Sequence, residues 1–153
     1  MSSERARCRD VEPLPDELRH LCIGAGVVFM AKSVSSGTID VFDSKTAPEI
    51  EIKDYFIRAV SFVPLSKPQF LLALEYIDRY LCDREACLSL TSMHRLAATA
   101  MVLAHKFDCD FPLDDMHYGR IMGLEHFELM TLQMTFMKRI NYRLMYPEFL
   151  RGL

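Results

Sequence analysis

The 153-residue sequence lacks several features that define large classes of proteins. It has no excess of basic residues: 18 Lys and Arg face 21 Asp and Glu, and the net charge of −3 is the wrong sign for a protein that works on phosphate backbones. Its five cysteines show no Cys-x-x-Cys spacing, which argues against a disulfide framework or a thiolate metal site and favours a reducing compartment. We therefore expect no nucleic-acid partner and an intracellular protein, with nuclear and cytoplasmic residence both open.

The chain also lacks a hydrophobic run of the length that a membrane span needs. The longest run, Leu21 to Ala31, contains Gly24 and Gly26 and ends at Lys32, well short of the roughly 20 residues required. Acidic residues rather than a compact basic segment precede it, unlike a signal peptide. We expect no membrane partner. The two glycines lack the strand and the third glycine of a phosphate-binding loop, so we interpret them as glycines of a packed or bent helix.

No stretch alternates polar and apolar residues over several β-branched positions, so no sheet is expected and the fold class is all-α. Apolar residues recur instead at helical spacing. Residues 1–13 have almost nothing to bury and are expected to form a flexible leader. Residues 14–41 are predicted to form an N-terminal helix and a linker, and residues 42–150 to carry the further helices.

Local signals mark several of these helices. Ser66 and Gln69 have the spacing of a capping box, and the uncharged stretch Leu96–Ala104 predicts a central helix that other helices surround. A short helix is expected after Asp114, ending near Gly123, and a last long helix is expected to end near Asn141. This last helix carries a broad apolar arc: Phe127, Met130, Leu132, Met134, Phe136, Met137 and Ile140.

Patterns that would indicate catalysis are weak. Six potential metal ligands lie close together, but their spacing matches no established site: His105, Cys109, Asp110, Asp114, Asp115 and His117. No serine or cysteine lies in a strained turn beside a base and its orienting partner. We therefore expect no enzyme, no cofactor, no bound metal and no small-molecule substrate. A metal-dependent hydrolase built on these six residues is the least favoured alternative.

Lys106 follows the apolar stretch of the central helix directly. A cation there can interact with the last carbonyls of its own helix, or it can donate hydrogen bonds to another chain. The sequence also has ten methionines, which suit either a core or an adaptable binding surface. From the residues alone, both pairs of alternatives stay open.

Three segments in this order resemble a cyclin box: Tyr76-Ile77-Asp78-Arg79-Tyr80-Leu81, Leu103-Ala104-His105-Lys106-Phe107 and Ile140-Asn141-Tyr142-Arg143-Leu144. Residues 48–63 and 90–96 are most similar to the P/U-type cyclins, the phosphate-pathway type. The resemblance covers residues 42–150 and implies a five-helix cyclin box with an additional N-terminal helix. It also implies a non-catalytic regulatory subunit that binds and activates a cyclin-dependent protein kinase. The alternative is a cyclin-fold, transcription-factor-like module that binds DNA or other proteins.

The same resemblance implies which residues bind the kinase. A Lys and a Glu of the family bind backbone groups of the kinase; the Lys falls on Lys106, and the Glu falls on Gln133, a neutral amide. An apolar hollow beside them falls on Leu103, Phe107, Met137, Tyr142 and Leu144. Arg58 and Asp78 fall where the family tends to form a structural ion pair, although two unrelated surface charges are the alternative.

Overall fold

A computed structural model describes residues 14–34, 40–82 and 86–150. Within these ranges all regular structure is helical, and no strand occurs. The described helices are α1 (Asp16–Lys32), α2 (Ile52–Phe62), α3 (Lys67–Leu81), α4 (Met93–Asp108), α5 (Asp115–Met122) and α6 (His126–Arg139), with a 3-10 helix at Glu148–Leu150. The predicted all-α class, with five helices after an N-terminal helix, is confirmed. The predicted leader, residues 1–13, lies outside the described residues, and the boundary at residue 42 stays a prediction.

Local chemistry explains where α3 and α5 begin and end. The Ser66 side chain accepts a hydrogen bond from the backbone N–H of Gln69 (3.3 Å), and Oε1 of Gln69 accepts one from the backbone N–H of Ser66 (3.0 Å). This is the predicted capping box. The Asp114 side chain likewise accepts from the backbone N–H of His117 (2.8 Å) and caps α5. That helix ends at Gly123, whose φ of 74° is left-handed and suits a glycine.

The central helix is α4, as the sequence predicts. Every residue from Leu96 to His105 is buried, and the helix packs against α2, α3 and α6. Its alanines present little bulk to these neighbours, so the helices can approach closely. None of the described helices, including α4, combines the length and the apolar character that crossing a membrane requires.

A glycine lies at the contact between α1 and α2. A Cβ atom added at Gly26 would lie 2.6 Å from the Cβ and 2.9 Å from the Cα of Lys53, whereas one added at Gly24 would meet nothing within 4 Å. The two helices therefore approach each other as closely as they do because residue 26 has no side chain. Gly26 is a packing glycine, and Gly24 faces open space.

An ion pair fastens the segment before α2 to the end of α6. Arg139 donates hydrogen bonds to both carboxylate oxygens of Asp40 (2.5 and 2.7 Å) and to the hydroxyl of Tyr80 (2.5 Å). The hydrogen bond from Arg139 holds the pKa of Asp40 below its usual value. Next to this pair, the buried ring of Phe42 packs edge-on against the rings of Tyr80 and Phe136. The segment is thus held by both polar and aromatic contacts.

Candidate functional site

Lys106 in the last turn of α4 contacts side chains from α5 and α6. Its ammonium group donates hydrogen bonds to Oδ1 of Asp115 (2.5 Å) and to Oε1 of Gln133 (2.8 Å). The amide nitrogen of Gln133 donates in turn to Oδ1 of Asp115 (3.1 Å) and to the carbonyl of Leu129 (3.3 Å). Lys106, Asp115 and Gln133 therefore form a closed ring of hydrogen bonds, which we call the Lys106 triad.

The Lys106 triad contains a carboxylate at neutral pH. Burial alone would raise the pKa of Asp115, but hydrogen bonds from Lys106 and Gln133, together with the charge of Lys106, outweigh burial and lower the pKa. Asp115 also lies in the first turn of α5, where the helix dipole favours a negative charge. The triad is thus a charged pair joined by a neutral amide.

The members of the Lys106 triad differ in how far solvent, and hence a partner, can reach them. Gln133 is only 5% exposed, whereas the side chain of Asp115 is 19% exposed and that of Lys106 is 31% exposed. An ammonium group has three N–H donors, and two of those of Lys106 are used within the triad. The third donor has no hydrogen-bond acceptor among the described residues, although the ammonium group also lies 5.7 Å from the centre of the Tyr118 ring.

The predicted hollow residues are only partly covered. Leu103 is buried, Met137 and Leu144 are half-buried, and Phe107 and Tyr142 are 41% and 62% exposed. These residues lie at the end of α4, on α6 and in the segment after α6. The structure therefore places large apolar side chains, several of them accessible to solvent, on the elements that carry Lys106 and Gln133.

The apolar arc of α6 divides into two faces. Leu132 and Phe136 of this arc are fully buried, as is the neighbouring Leu129. A second stripe, beside Gln133 on the helix, consists of the exposed Phe127, Met130 and Met134 and the half-buried Met137. Helical spacing places these four side chains on one face. We call them the α6 stripe. An accessible row of methionines fits the adaptable-surface alternative for these residues.

Side chains of α3 hold the segment after α6. The hydroxyl of the buried Tyr76 donates to the carbonyl of Leu144 (2.6 Å). The guanidinium group of Arg79 donates to the carbonyls of Arg143 (2.6 Å) and Met145 (2.8 Å). Three successive carbonyls are therefore bound by one helix.

The turn between α6 and this segment has an unusual backbone. Asn141 and Tyr142 have φ angles of 55° and 56°, and the left-handed region costs a residue such as tyrosine on the order of 1–2 kcal/mol. The backbone N–H of Tyr142 donates to the carbonyl of Met137 (2.8 Å), which closes the end of α6. The Tyr142 side chain at this turn is largely exposed.

The structure does not bring Arg58 and Asp78 together, which corrects the predicted ion pair. Asp78 lies 3.7 Å from the ammonium group of Lys32 in α1, and Arg58 forms no ion pair with any side chain of the described ranges. The physical reason is the position of Arg58 on an exposed face of α2, a helix whose main contacts are with α1, α4 and α5 rather than with α3.

Three of the six potential metal ligands take part in separate contacts. Asp115 belongs to the Lys106 triad, Asp114 caps α5, and Nδ1 of His105 lies 2.5 Å from the hydroxyl of Tyr118. Over residues 14–34, 40–82 and 86–150, no three His, Cys, Asp or Glu side chains are grouped so that they could hold a metal ion.

Asp115 is the residue of this site that sequence reasoning missed as a partner of Lys106. The local signal was present, because an acidic residue follows the N-cap of a predicted helix. That signal places Asp115 in the first turn of α5, but it does not reveal that this turn lies against the end of α4.

Comparison with known proteins places this chain in a family. A sequence model of the cyclin family matches residues 17–144. Cyclin-P3-1 of Oryza sativa subsp. japonica is 32% identical over 104 residues, which cover 68% of this chain and 44% of the relative. The PHO85 cyclin PHO80 of Saccharomyces cerevisiae is 34% identical over 114 residues, covering 74% and 39%. Cyclin-U3-1 of Arabidopsis thaliana is 32% identical over 110 residues, covering 72% and 50%.

These matches confirm the predicted family and agree with the predicted P/U type. The match of the family model begins inside α1, so it includes the N-terminal helix as well as the five that follow. The chain spans half or less of the length of the three curated relatives. The family match nevertheless covers most of the chain, and the chain therefore belongs to the cyclin family.

Proposed function

We propose that this chain is a non-catalytic regulatory subunit that binds a cyclin-dependent protein kinase and activates it. Membership of the cyclin family supports the proposal, as does the name of the yeast relative, a cyclin of PHO85. The observation that carries it is the position of Lys106 at the end of the central helix. There its ammonium group joins a polar triad on the elements that also carry exposed apolar side chains, and one of its donors has no hydrogen-bond acceptor among the described residues.

The proposed interface combines one polar anchor with an apolar surface. Lys106 donates a hydrogen bond to a backbone carbonyl of the kinase, with Gln133 and the predicted hollow beside it: Leu103, Phe107, Met137, Tyr142 and Leu144. Exposed aromatic rings such as those of Phe107 and Tyr142 are typical interface anchors, because they bury a large area with few rotatable bonds. The α6 stripe extends this apolar surface next to Gln133.

Activation follows if the chain binds the active arrangement of the kinase more tightly than the inactive one. In protein kinases a Glu on a regulatory helix has to pair with the Lys that binds the nucleotide phosphates. A surface that holds this helix in the productive position shifts the kinase toward its active state. This mechanism requires no chemistry from the regulatory chain itself.

The proposal is tested by titrating purified cyclin-dependent kinases, PHO85 among them, with the wild-type chain and with Lys106→Ala. Calorimetry gives Kd, and phosphorylation of a peptide substrate reports activation. We expect Lys106→Ala to lose about 2 kcal/mol or more of binding free energy, roughly a 30-fold change in Kd, because a desolvated charged contact is lost. The ion pair with Asp115 is partly exposed and contributes little to stability, but Lys106→Ala also leaves Oε1 of the buried Gln133 without its donor. We therefore expect a modest fall in melting temperature, and Kd is measured at a temperature at which both proteins are folded.

Lys45→Ala is the matched control, because it removes another lysine ammonium group from an exposed position. The neighbouring Ser44 is bound to Thr91, just before the N-terminal end of α4, whereas Lys106 lies at the opposite end of that helix. The control is expected to bind the kinase like the wild type. Equal affinities of wild type and Lys106→Ala would remove Lys106 from the interface, and failure of the wild-type chain to bind any of the kinases would refute the proposed function.

A further inference from the structure

The family resemblance implies a Glu at position 133, and this chain has Gln133 there. The structure nevertheless places a carboxylate in contact with the Lys106 ammonium group, and it comes from a different helix: Asp115 in the first turn of α5. We propose that Asp115 supplies the negative charge that position 133 lacks and presents it, together with Lys106, to the backbone of the bound kinase. This inference rests on the proposed function and adds a residue to its interface.

The hydrogen bonds of Gln133 leave it little capacity to bind a partner directly. Its oxygen accepts from Lys106, and its nitrogen donates to Asp115 and to the carbonyl of Leu129. At 5% exposure, the residue is also covered by the chain itself. The amide of Gln133 therefore acts as an internal link that fixes the relative positions of the other two side chains.

Asp115 is better placed to meet a partner. Both hydrogen bonds that its side chain accepts within the described part of the chain go to Oδ1, so Oδ2 is available to an N–H group. Within the same described residues, the neighbouring Lys106 has one N–H donor without a hydrogen-bond acceptor. A free acceptor beside a free donor matches the N–H and C=O groups that a peptide backbone presents.

The identities of residues 115 and 133 are matched to each other. The Gln133 nitrogen lies 3.1 Å from Oδ1 of Asp115, so a Glu at 133 would put two carboxylates in contact, and like charges at that distance disfavour ionisation of both. Lys106 can donate to one carboxylate and one amide oxygen whichever of positions 115 and 133 carries the carboxylate. Exchanging the two, as Asp115→Asn with Gln133→Glu, preserves both the charge and the number of donors and acceptors.

This exchange provides the test. We expect Asp115→Asn to raise Kd for the kinase about tenfold or more, because a charged hydrogen bond is replaced by a neutral one. The double variant Asp115→Asn/Gln133→Glu is expected to recover most of the lost affinity. Asp114→Asn is the matched control: it removes the neighbouring carboxylate, which is 70% exposed, and asparagine caps a helix about as well as aspartate. Its Kd is expected to stay within about twofold of the wild type.

Gln133→Glu alone gives an independent reading that keeps Asp115 unchanged. If Asp115 already supplies the required charge, a second carboxylate brings no gain, and the Kd of this variant is expected to be unchanged or weaker. Stronger binding would show that position 133 lacks a needed charge and would overturn the inference. Melting temperatures of all variants, measured in parallel, separate a loss of affinity from a loss of folding.

The results also distinguish this inference from the proposed function. If Lys106→Ala weakens binding and Asp115→Asn does not, the role of Asp115 is refuted while kinase binding stands. If the double variant is as weak as Asp115→Asn at an unchanged melting temperature, the exchange of roles is refuted. If the wild-type chain binds no kinase, both the proposed function and this inference fail.

Discussion

Replacing each of two glycines in α1 by alanine tests how closely α1 and α2 pack. A Cβ at position 26 would lie 2.6 Å from the Cβ of Lys53 and 2.9 Å from its Cα, and because the second atom belongs to the backbone, the helices have to move apart. Overpacking of this kind costs about 1–3 kcal/mol. Alanine returns about 1 kcal/mol through its higher helix propensity. We therefore expect Gly26→Ala to lower the free energy of unfolding by up to about 2 kcal/mol.

Gly24→Ala is the matched control, because it makes the same substitution in the same helix. Its new Cβ would meet nothing within 4 Å, so we expect the propensity gain of about 1 kcal/mol without a steric cost. The propensity contribution cancels between the two variants. The difference between them, about 1–3 kcal/mol, therefore measures the steric cost of the α1–α2 contact alone.

Urea unfolding followed by circular dichroism gives both free energies, and thermal unfolding provides a second measurement. For a chain of this length, 1 kcal/mol corresponds to a shift of about 2–4 °C in Tm. We expect the Tm of Gly26→Ala to lie clearly below that of Gly24→Ala. A Gly26→Ala variant as stable as Gly24→Ala would refute the close approach of the two helices.

Two further substitutions test contacts between distant parts of the chain. Asp40→Asn should lower the free energy of unfolding by about 1 kcal/mol at neutral pH, because its pair with Arg139 is bidentate but about one-third exposed. The hydrogen bond from Arg139 lowers the pKa of Asp40, so this stabilisation is present above the ordinary Asp pKa of about 3.9 and is lost as pH falls through the lower folded value. In urea unfolding, the difference in free energy of unfolding between wild type and Asp40→Asn should therefore narrow as the pH falls. A difference that does not change with pH would contradict a stabilising pair between Asp40 and Arg139. Tyr76→Phe removes the hydrogen bond to the Leu144 carbonyl and should cost about 1 kcal/mol, whereas Tyr142→Phe, on an exposed ring, should leave Tm unchanged. Equal effects of the two Tyr→Phe changes would argue against the buried hydrogen bond.

Much of the helical framework could be predicted because its signals are local. The capping box of Ser66, the N-cap Asp114 and the C-cap Gly123 each act within a few residues, so spacing along the chain identifies them. The uncharged stretch from Leu96 to Ala104 likewise predicts its own burial, since a helix without a polar face has to be surrounded.

Contacts that depend on how helices are oriented could not be predicted in this way. Asp115 reaches Lys106 only because the start of α5 lies against the end of α4, and no spacing rule specifies that geometry. The ion pair of Asp78 depends similarly on where the end of α1 lies. The family resemblance implied Arg58 as its partner, whereas the structure provides Lys32.

Periodicity also could not decide which apolar residues of α6 are covered. Leu132 and Phe136 are buried, and Met130 and Met134 are exposed, although all four belong to the same apolar arc in the sequence. Coverage depends on which neighbouring helices are present. The arc was therefore predictable as a pattern, but its division into a buried and an exposed face was not.

The unusual turn at Asn141 and Tyr142 has a consequence for molecular recognition. Its unfavourable torsions are held in place by Tyr76 and Arg79, which bind the carbonyls that follow. The conformational entropy of this segment is therefore lost on folding and not on binding to a second molecule. A protein that binds at this segment meets a preorganised surface. Its association rate is therefore set by collision and orientation and is not limited by a slow rearrangement of this backbone.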